Sequence, residues 1–289
     1  MALFGNKNTV NDGAEMGFFD HIDALRQHIF RAAIVVILVT CVMLYKSSWV
    51  FDRLIFGPVK SDFLTYRVLC HLSNTIRPLL CKFSPLLCPD KGLCFDGLDI
   101  KFMNTELFGQ FMTQIQISIV LGVVFSFPYI IWEIWRFIRP ALSETEARKS
   151  GRIVVFSSVF FFIGVAFAYF LIVPFSLNFA YGYQISGQVS NMFTLDNYIS
   201  FVTMMMLGSG AIFELPMIIF FLAKMGIITA QFMRNYRRHA IIVILILAAV
   251  ITPSPDMFTM TIVAIPIYFL FELSIVVAAR VNPGVKEII

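Results

Sequence analysis

The sequence predicts an all-α integral membrane protein with six transmembrane helices and both termini cytoplasmic. Three observations predict it. Of the 289 residues, 58% are apolar and only 14% charged, where a soluble domain is nearer a quarter charged. Long stretches carry no charge at all: 26 residues between Glu106 and Glu133, 43 between Arg152 and Asp196, and 17 between Asp196 and Glu214. The remaining charges are gathered on alternate connections. With 32 Phe and a mean hydropathy of +0.82, the composition excludes a disordered chain, a nucleic-acid-binding arm and an ordinary soluble enzyme.

Each span follows from length. A helix rises about 1.5 Å per residue and needs about 20 residues to cross the hydrocarbon. Residues 107–135, 153–180 and 197–223 meet that length. Near the N-terminus, 32–45 is apolar but short, and roughly 24–48 spans if Arg31 and Lys46 snorkel. The last two segments, Ala240–Ile251 and Met257–Phe271, are shorter. Thr252-Pro253-Ser254-Pro255-Asp256 separates them as a turn, with Ser254-Pro255 as N-cap and first helical residue. A short hairpin, with Glu272 interrupting its second helix, predicts a locally thinned bilayer.

Charge sets the orientation. Basic residues sit at Lys7, Arg26 and Arg31, at Arg136–Arg152, at Lys224–Arg238, and at Arg280 and Lys286. The connections between helices 3 and 4 and between 5 and 6 have none. This is a positive-inside pattern. The long connection between helices 1 and 2 (49–103) is the exception, with eight basic residues counting Lys46. It exceeds the length over which the rule acts, and parity places it outside. Residues 1–17 and 281–289 read as cytoplasmic tails flanking a membrane domain over 18–280. The polar N-terminal stretch has no apolar core of a cleavable signal.

Cys41 lies inside helix 1 and is expected to pack there. Cys70, Cys81, Cys88 and Cys94 fall in the outer connection, with spacings unlike a zinc site. Two disulfides stapling a small loop-rich cap over 70–94 are the expectation, in any of three connectivities.

Three acids stand where acids are costly, at about 2.5–3.5 kcal/mol each at a helix centre. Glu214 is near the midplane, about 15 Å from Lys224 along the helix. It precedes Pro216, which predicts a kink and a polar pocket. Glu272 is less deep. Glu133 reads as a structural partner of Arg136, three residues on. No phosphate-binding glycine run, metalloprotease motif, nucleophile elbow or metal-spaced His/Cys cluster occurs. No enzyme, cofactor or metal is therefore expected.

Five ordered motifs resemble one family. His21-Ile22-Asp23-Ala24-Leu25-Arg26 resembles the HLxELR signature of TatC, the multi-pass subunit of the twin-arginine protein translocase. Phe127-Pro128-Tyr129 through Arg139-Pro140-Ala141-Leu142 follows, then Gly164–Phe170. Next come Phe213-Glu214-Leu215-Pro216, and Thr252–Asp256 with Ala264–Glu272. The resemblance implies a receptor for the twin-arginine signal peptide of folded export substrates, working with TatA- and TatB-like single-pass partners on the proton-motive force. It implies a location in the bacterial cytoplasmic (inner) membrane, with the lipid bilayer and further copies of the chain as other partners; the net charge of only +4 argues against nucleic acid. It assigns signal binding to Glu146, since carboxylates bind guanidinium forks by charge-assisted bonds, and His21 and Arg26 match the family signature. The second acid of the family's pair falls on Ala24. Asp23 or Asp20 takes that role, or Glu146 with Glu144 carries more of it, or recognition is looser. Glu146 also closes a capping box, Ser143-Glu144-Thr145-Glu146. Glu214 falls on the family's intramembrane acid and is implied, with Glu272 and the hairpin-tip acid Asp256, in partner docking along helices 5 and 6. The alternative is a proton-coupled secondary transporter using Glu214 and Glu272 as relay carboxylates.

Overall fold

The computed structural model describes residues 18–60, 62–83, 100–138, 150–184, 186, 188, 191–252 and 257–281. Helices dominate. α1 covers Phe18–Tyr45, and helical turns over Ser47–Val59 lead to α2, Leu64–Phe83. β1 is Phe102–Met103, followed by α3, Gly109–Ile138. α4 (Ser150–Phe167) runs through a π-helical turn at Ala168–Ile172 into α5 (Val173–Gly182). After β2 (Phe193–Thr194) come α6 (Leu195–Phe213), α7 (Leu215–Lys224) and α8 (Ala230–Asn235). The last two are α9 (Arg237–Ile251) and α10 (Met257–Val281).

Five segments are long and apolar enough to cross a membrane: Asp23–Tyr45, Gly109–Ile138, Ile153–Gly182, Leu195–Lys224 and Thr259–Arg280. α9, at 15 residues, reaches only about 22 Å. One expectation is corrected here. The final helix does not stop at Glu272 but continues to Val281, 25 residues in all, about 37 Å. The short element is α9 alone.

α1 lies along α3, α3 packs on α4 and α6, and α6 packs on α4. α7 and α9 both lie against α10. Close crossings depend on small residues, since lipid supplies no hydrophobic force to drive helices together. A Cβ on Gly122 would fall within 3.3 Å of the Thr40 Cα, so α1 meets α3 there backbone to backbone. Gly164 meets Ser209 and Phe213 in the same way. The Ser209 hydroxyl donates to the Gly164 carbonyl at 2.8 Å.

At one end, hereafter the cap end, the chain between α1 and α3 folds over the bundle. It is not the loop-rich cap expected. α2 is a 20-residue helix, and tyrosines fasten the segment to the spans. Tyr198 on α6 donates to the Ile55 carbonyl at 2.5 Å, and Tyr169 donates to Leu54 at 2.6 Å. Thr65 donates to the Phe170 carbonyl. Tyr66 donates to Pro58 at 2.9 Å. Burial pushes the Tyr66 hydroxyl up to about 12, partly offset by the hydrogen bond from Asn178, so it stays a donor. β1 and β2 pair in parallel, Phe102 with Phe193 and Met103 with Thr194. This small pairing ties the two connections of the cap end together. The opposite end carries Arg26, Arg136, Lys224 and Arg237 and is called the basic end.

Cys41 is free and exposed on α1, which corrects its expected packing role. Cys70 and Cys81 both fall on α2, and Cys70 is not a free thiol. Cys88 and Cys94 lie outside the described residues.

Candidate functional site

The basic end assembles from the start of α1 and the end of α3. Both helices are apolar along most of their length, so they align over the full thickness of the bundle. Their polar termini therefore meet. Asp23 and Arg26 are exposed at the start of α1, with the Arg26 guanidinium 5.5 Å from the Phe30 ring. Ala24 is half-buried beside them. His21 is helical. Glu144, Glu146 and the expected capping box lie outside the described residues, as does Asp256.

One group at this end was misassigned from sequence. Glu133 does not pair with Arg136. The residue is buried and its carboxylate takes two donors, His28 Nδ1 at 2.5 Å and the Tyr129 hydroxyl at 2.7 Å. Arg136 is exposed and lies 5.6 Å from the Trp132 ring. The sequence signal was an acid closing a 26-residue uncharged stretch. The partner could not be read because it comes from another helix, 105 positions away.

Inside the bundle, the chain breaks at Glu214 between α6 and α7, as Pro216 requires. Glu214 is buried, and its Oε2 accepts from Ser157 of α4 at 2.6 Å. Its Oε1 has no hydrogen-bond partner among the described residues. The expected kink is present; where a polar pocket was expected, the described residues supply the single Ser157 contact. The Ser157 hydroxyl offsets part of the cost of burying an acid here.

Glu272 differs from expectation. It accepts from Arg237 at 2.8 Å and from the Tyr268 hydroxyl at 3.1 Å. With side chains 47% and 30% exposed, Arg237 and Glu272 form a basic-end ion pair joining α9 to α10. Glu272 is therefore not a deep acid without a base, and Glu214 and Glu272 take different partners. Beyond this pair, α9 and α10 present an apolar groove lined by Ile241, Ile244, Leu245, Thr261, Ala264, Ile265 and Tyr268.

Among the described residues, no group of His, Cys, Asp and Glu is placed to hold a metal ion. The architecture defines a polytopic membrane protein built from packed spans, with buried carboxyls and one capped end. Comparison makes this specific. The family pattern described as Sec-independent protein translocase protein (TatC) matches residues 20–266. The chain belongs to the TatC family. A TatC of Blattabacterium sp. subsp. Periplaneta americana is 35% identical over 94% of this chain and 98% of its own. One from Helicobacter pylori strain 26695 is 39% identical over 61% and 69% respectively. Two crystal structures titled twin arginine translocase receptor TatC share the fold. One has a TM-score of 0.62 at 24% identity, covering 91% of this chain and 99% of that one. The other, in DDM, has 0.65 at 25%, covering 89% and 98%. The protein is thus a non-enzymatic, multi-pass component of Sec-independent protein translocation.

Proposed function

We propose that the chain is the twin-arginine signal-peptide receptor and core subunit of a Tat translocase. It exports folded proteins across the bacterial cytoplasmic membrane on the proton-motive force. The reading has six spans, α9 being the short one, and places both termini and the basic end in the cytoplasm. Residues 18–280 form the membrane domain between the tails 1–17 and 281–289. Residues 49–103 form the outer cap, stapled by disulfides over 70–94; that Cys70 is not a free thiol supports this.

The observation that carries the receptor reading is the alignment of α1 with α3. It brings Asp23 and Arg26 to the same end as Phe137 and Ile138, after which the chain enters 139–149 with Glu144 and Glu146. An acid at the start of α1, with further acids in the segment that follows α3, suits a pair of guanidinium groups. His21 belongs to the same helix start. The partners are TatA- and TatB-like single-pass proteins, seated along α9 and α10. The apolar groove between those helices and the buried acid Glu214 support that edge, with Asp256 at its outer tip.

The experiment is copurification with a tagged twin-arginine substrate and its Lys-Lys variant. Capture of the first and loss of the second is expected, and Glu146→Ala should weaken capture. Unchanged capture by a variant lacking both Asp23 and Glu146 carboxylates would refute the assignment.

A further inference from the structure

Glu133 is a buried acid at the basic end that the receptor reading leaves unused. It lies five residues before the end of α3 at Ile138, about 8 Å inside. Its two oxygens are held unequally. Tyr129 comes from the preceding turn of the same helix and is fixed to it. His28 comes from α1, and its side chain is 17% exposed against 2% for Glu133. The imidazole reaches the surface, and unlike Tyr129 it belongs to a different helix from Glu133. It rests edge-on to Phe137, with ring centroids 6.1 Å apart. Arg31 and Arg136 are the other charges bearing on this cluster. His28 also lies four residues after Ala24, on the same face and one turn deeper. The His28–Glu133 contact therefore sits directly inward of the position where the resemblance expects an acid and this chain has none.

We propose that Glu133 is a further recognition acid for the arginine pair of the signal, and that His28 is its placeholder. A guanidinium entering between α1 and α3 takes Oε2 from His28, which swings toward the surface. Tyr129 keeps Oε1. The exchange replaces one ring N–H with a charged, planar donor suited to carboxylate. Without a signal, His28 keeps the buried carboxylate satisfied, which would otherwise be costly. The proposal rests on the receptor reading above.

A purely structural contact, bolting α1 to α3, predicts the opposite sign for one variant, and this makes the test sharp. Binding of a fluorescent twin-arginine peptide and its Lys-Lys version is measured on the full-length protein in nanodiscs, with melting followed in parallel. Glu133→Gln, which keeps the shape but removes the charge and turns one accepting oxygen into a donating NH2, should weaken the twin-arginine peptide about tenfold. His28→Ala should tighten it, and the double variant should match Glu133→Gln. Unchanged binding in Glu133→Gln, or weaker binding in His28→Ala that tracks a loss of stability, overturns the proposal while the receptor reading stands. If the unaltered protein does not distinguish the two peptides, the receptor reading itself fails.

Discussion

Replacing Gly164 by alanine tests the packing that positions the buried acid. A Cβ at Gly164 would stand 2.7 Å from the Ser209 carbonyl oxygen and 2.8 Å from Cβ and Cγ of Phe213. Carbon atoms prefer about 3.5–4.0 Å. Two of the close atoms belong to backbone or to the root of a side chain, so rotation gives no relief. α4 and α6 must separate by roughly 1 Å. The Ser209–Gly164 hydrogen bond, 2.8 Å long, would then stretch past the useful range. Overpacking costs about 1–3 kcal/mol and the hydrogen bond about 1 kcal/mol. The sum is roughly 2–4 kcal/mol, or a fall of roughly 3–7 °C in melting temperature for a chain of this size. Ser157 lies two turns before Gly164 on the same helix, and Glu214 follows Phe213 directly, so the same separation loosens the Ser157–Glu214 contact. The assay is thermal melting in detergent by intrinsic fluorescence. Gly208→Ala is the control, because a Cβ there meets nothing within 4 Å; it should leave stability unchanged or raise it slightly. If Gly164→Ala melts with the unaltered protein, or no lower than Gly208→Ala, the close crossing is wrong.

Two further outcomes follow from the same physics. Tyr198→Phe leaves the buried Ile55 carbonyl without its donor; a loss of about 1–3 kcal/mol is expected, and limited proteolysis should cut the cap segment 49–83 faster, whereas equal cutting rates would show that the tyrosine does not fasten it. Arg237→Ala breaks a half-exposed ion pair with Glu272 and should cost no more than about 1 kcal/mol; a large fall in melting temperature would mean that Glu272 is buried and dependent on that base.

Much of this protein was legible without coordinates. Hydrophobic length and charge placement are sums over neighbouring residues, so the spans and the basic end were readable. The break at Glu214 was readable because Pro216 acts on its own helix. Glu272 was misjudged for a related reason. An acid in an apolar run reads as an interruption until a base from another helix is known, and Arg237 is 35 positions away. The cap was misjudged because α2 carries polar residues on one face. Averaged over its length it resembles loop composition, and only the attachment of its Thr65 to Phe170 and of its Tyr66 to Asn178 shows that it is built.

The sequence by itself determined that the chain is a membrane protein of packed helices, which end is basic, where the fourth span bends, and that motifs of one family occur in order. The tertiary structure decided which polar groups share a partner. His28 and Glu133, Ser157 and Glu214, Arg237 and Glu272, and Tyr198 and Ile55 lie on different segments. In a low-dielectric interior each such group must find a donor or acceptor, and which one it finds depends on how the helices cross. Gly122 and Gly164 set those crossings by letting backbones approach, a property of shape that no local reading of hydrophobicity or charge contains.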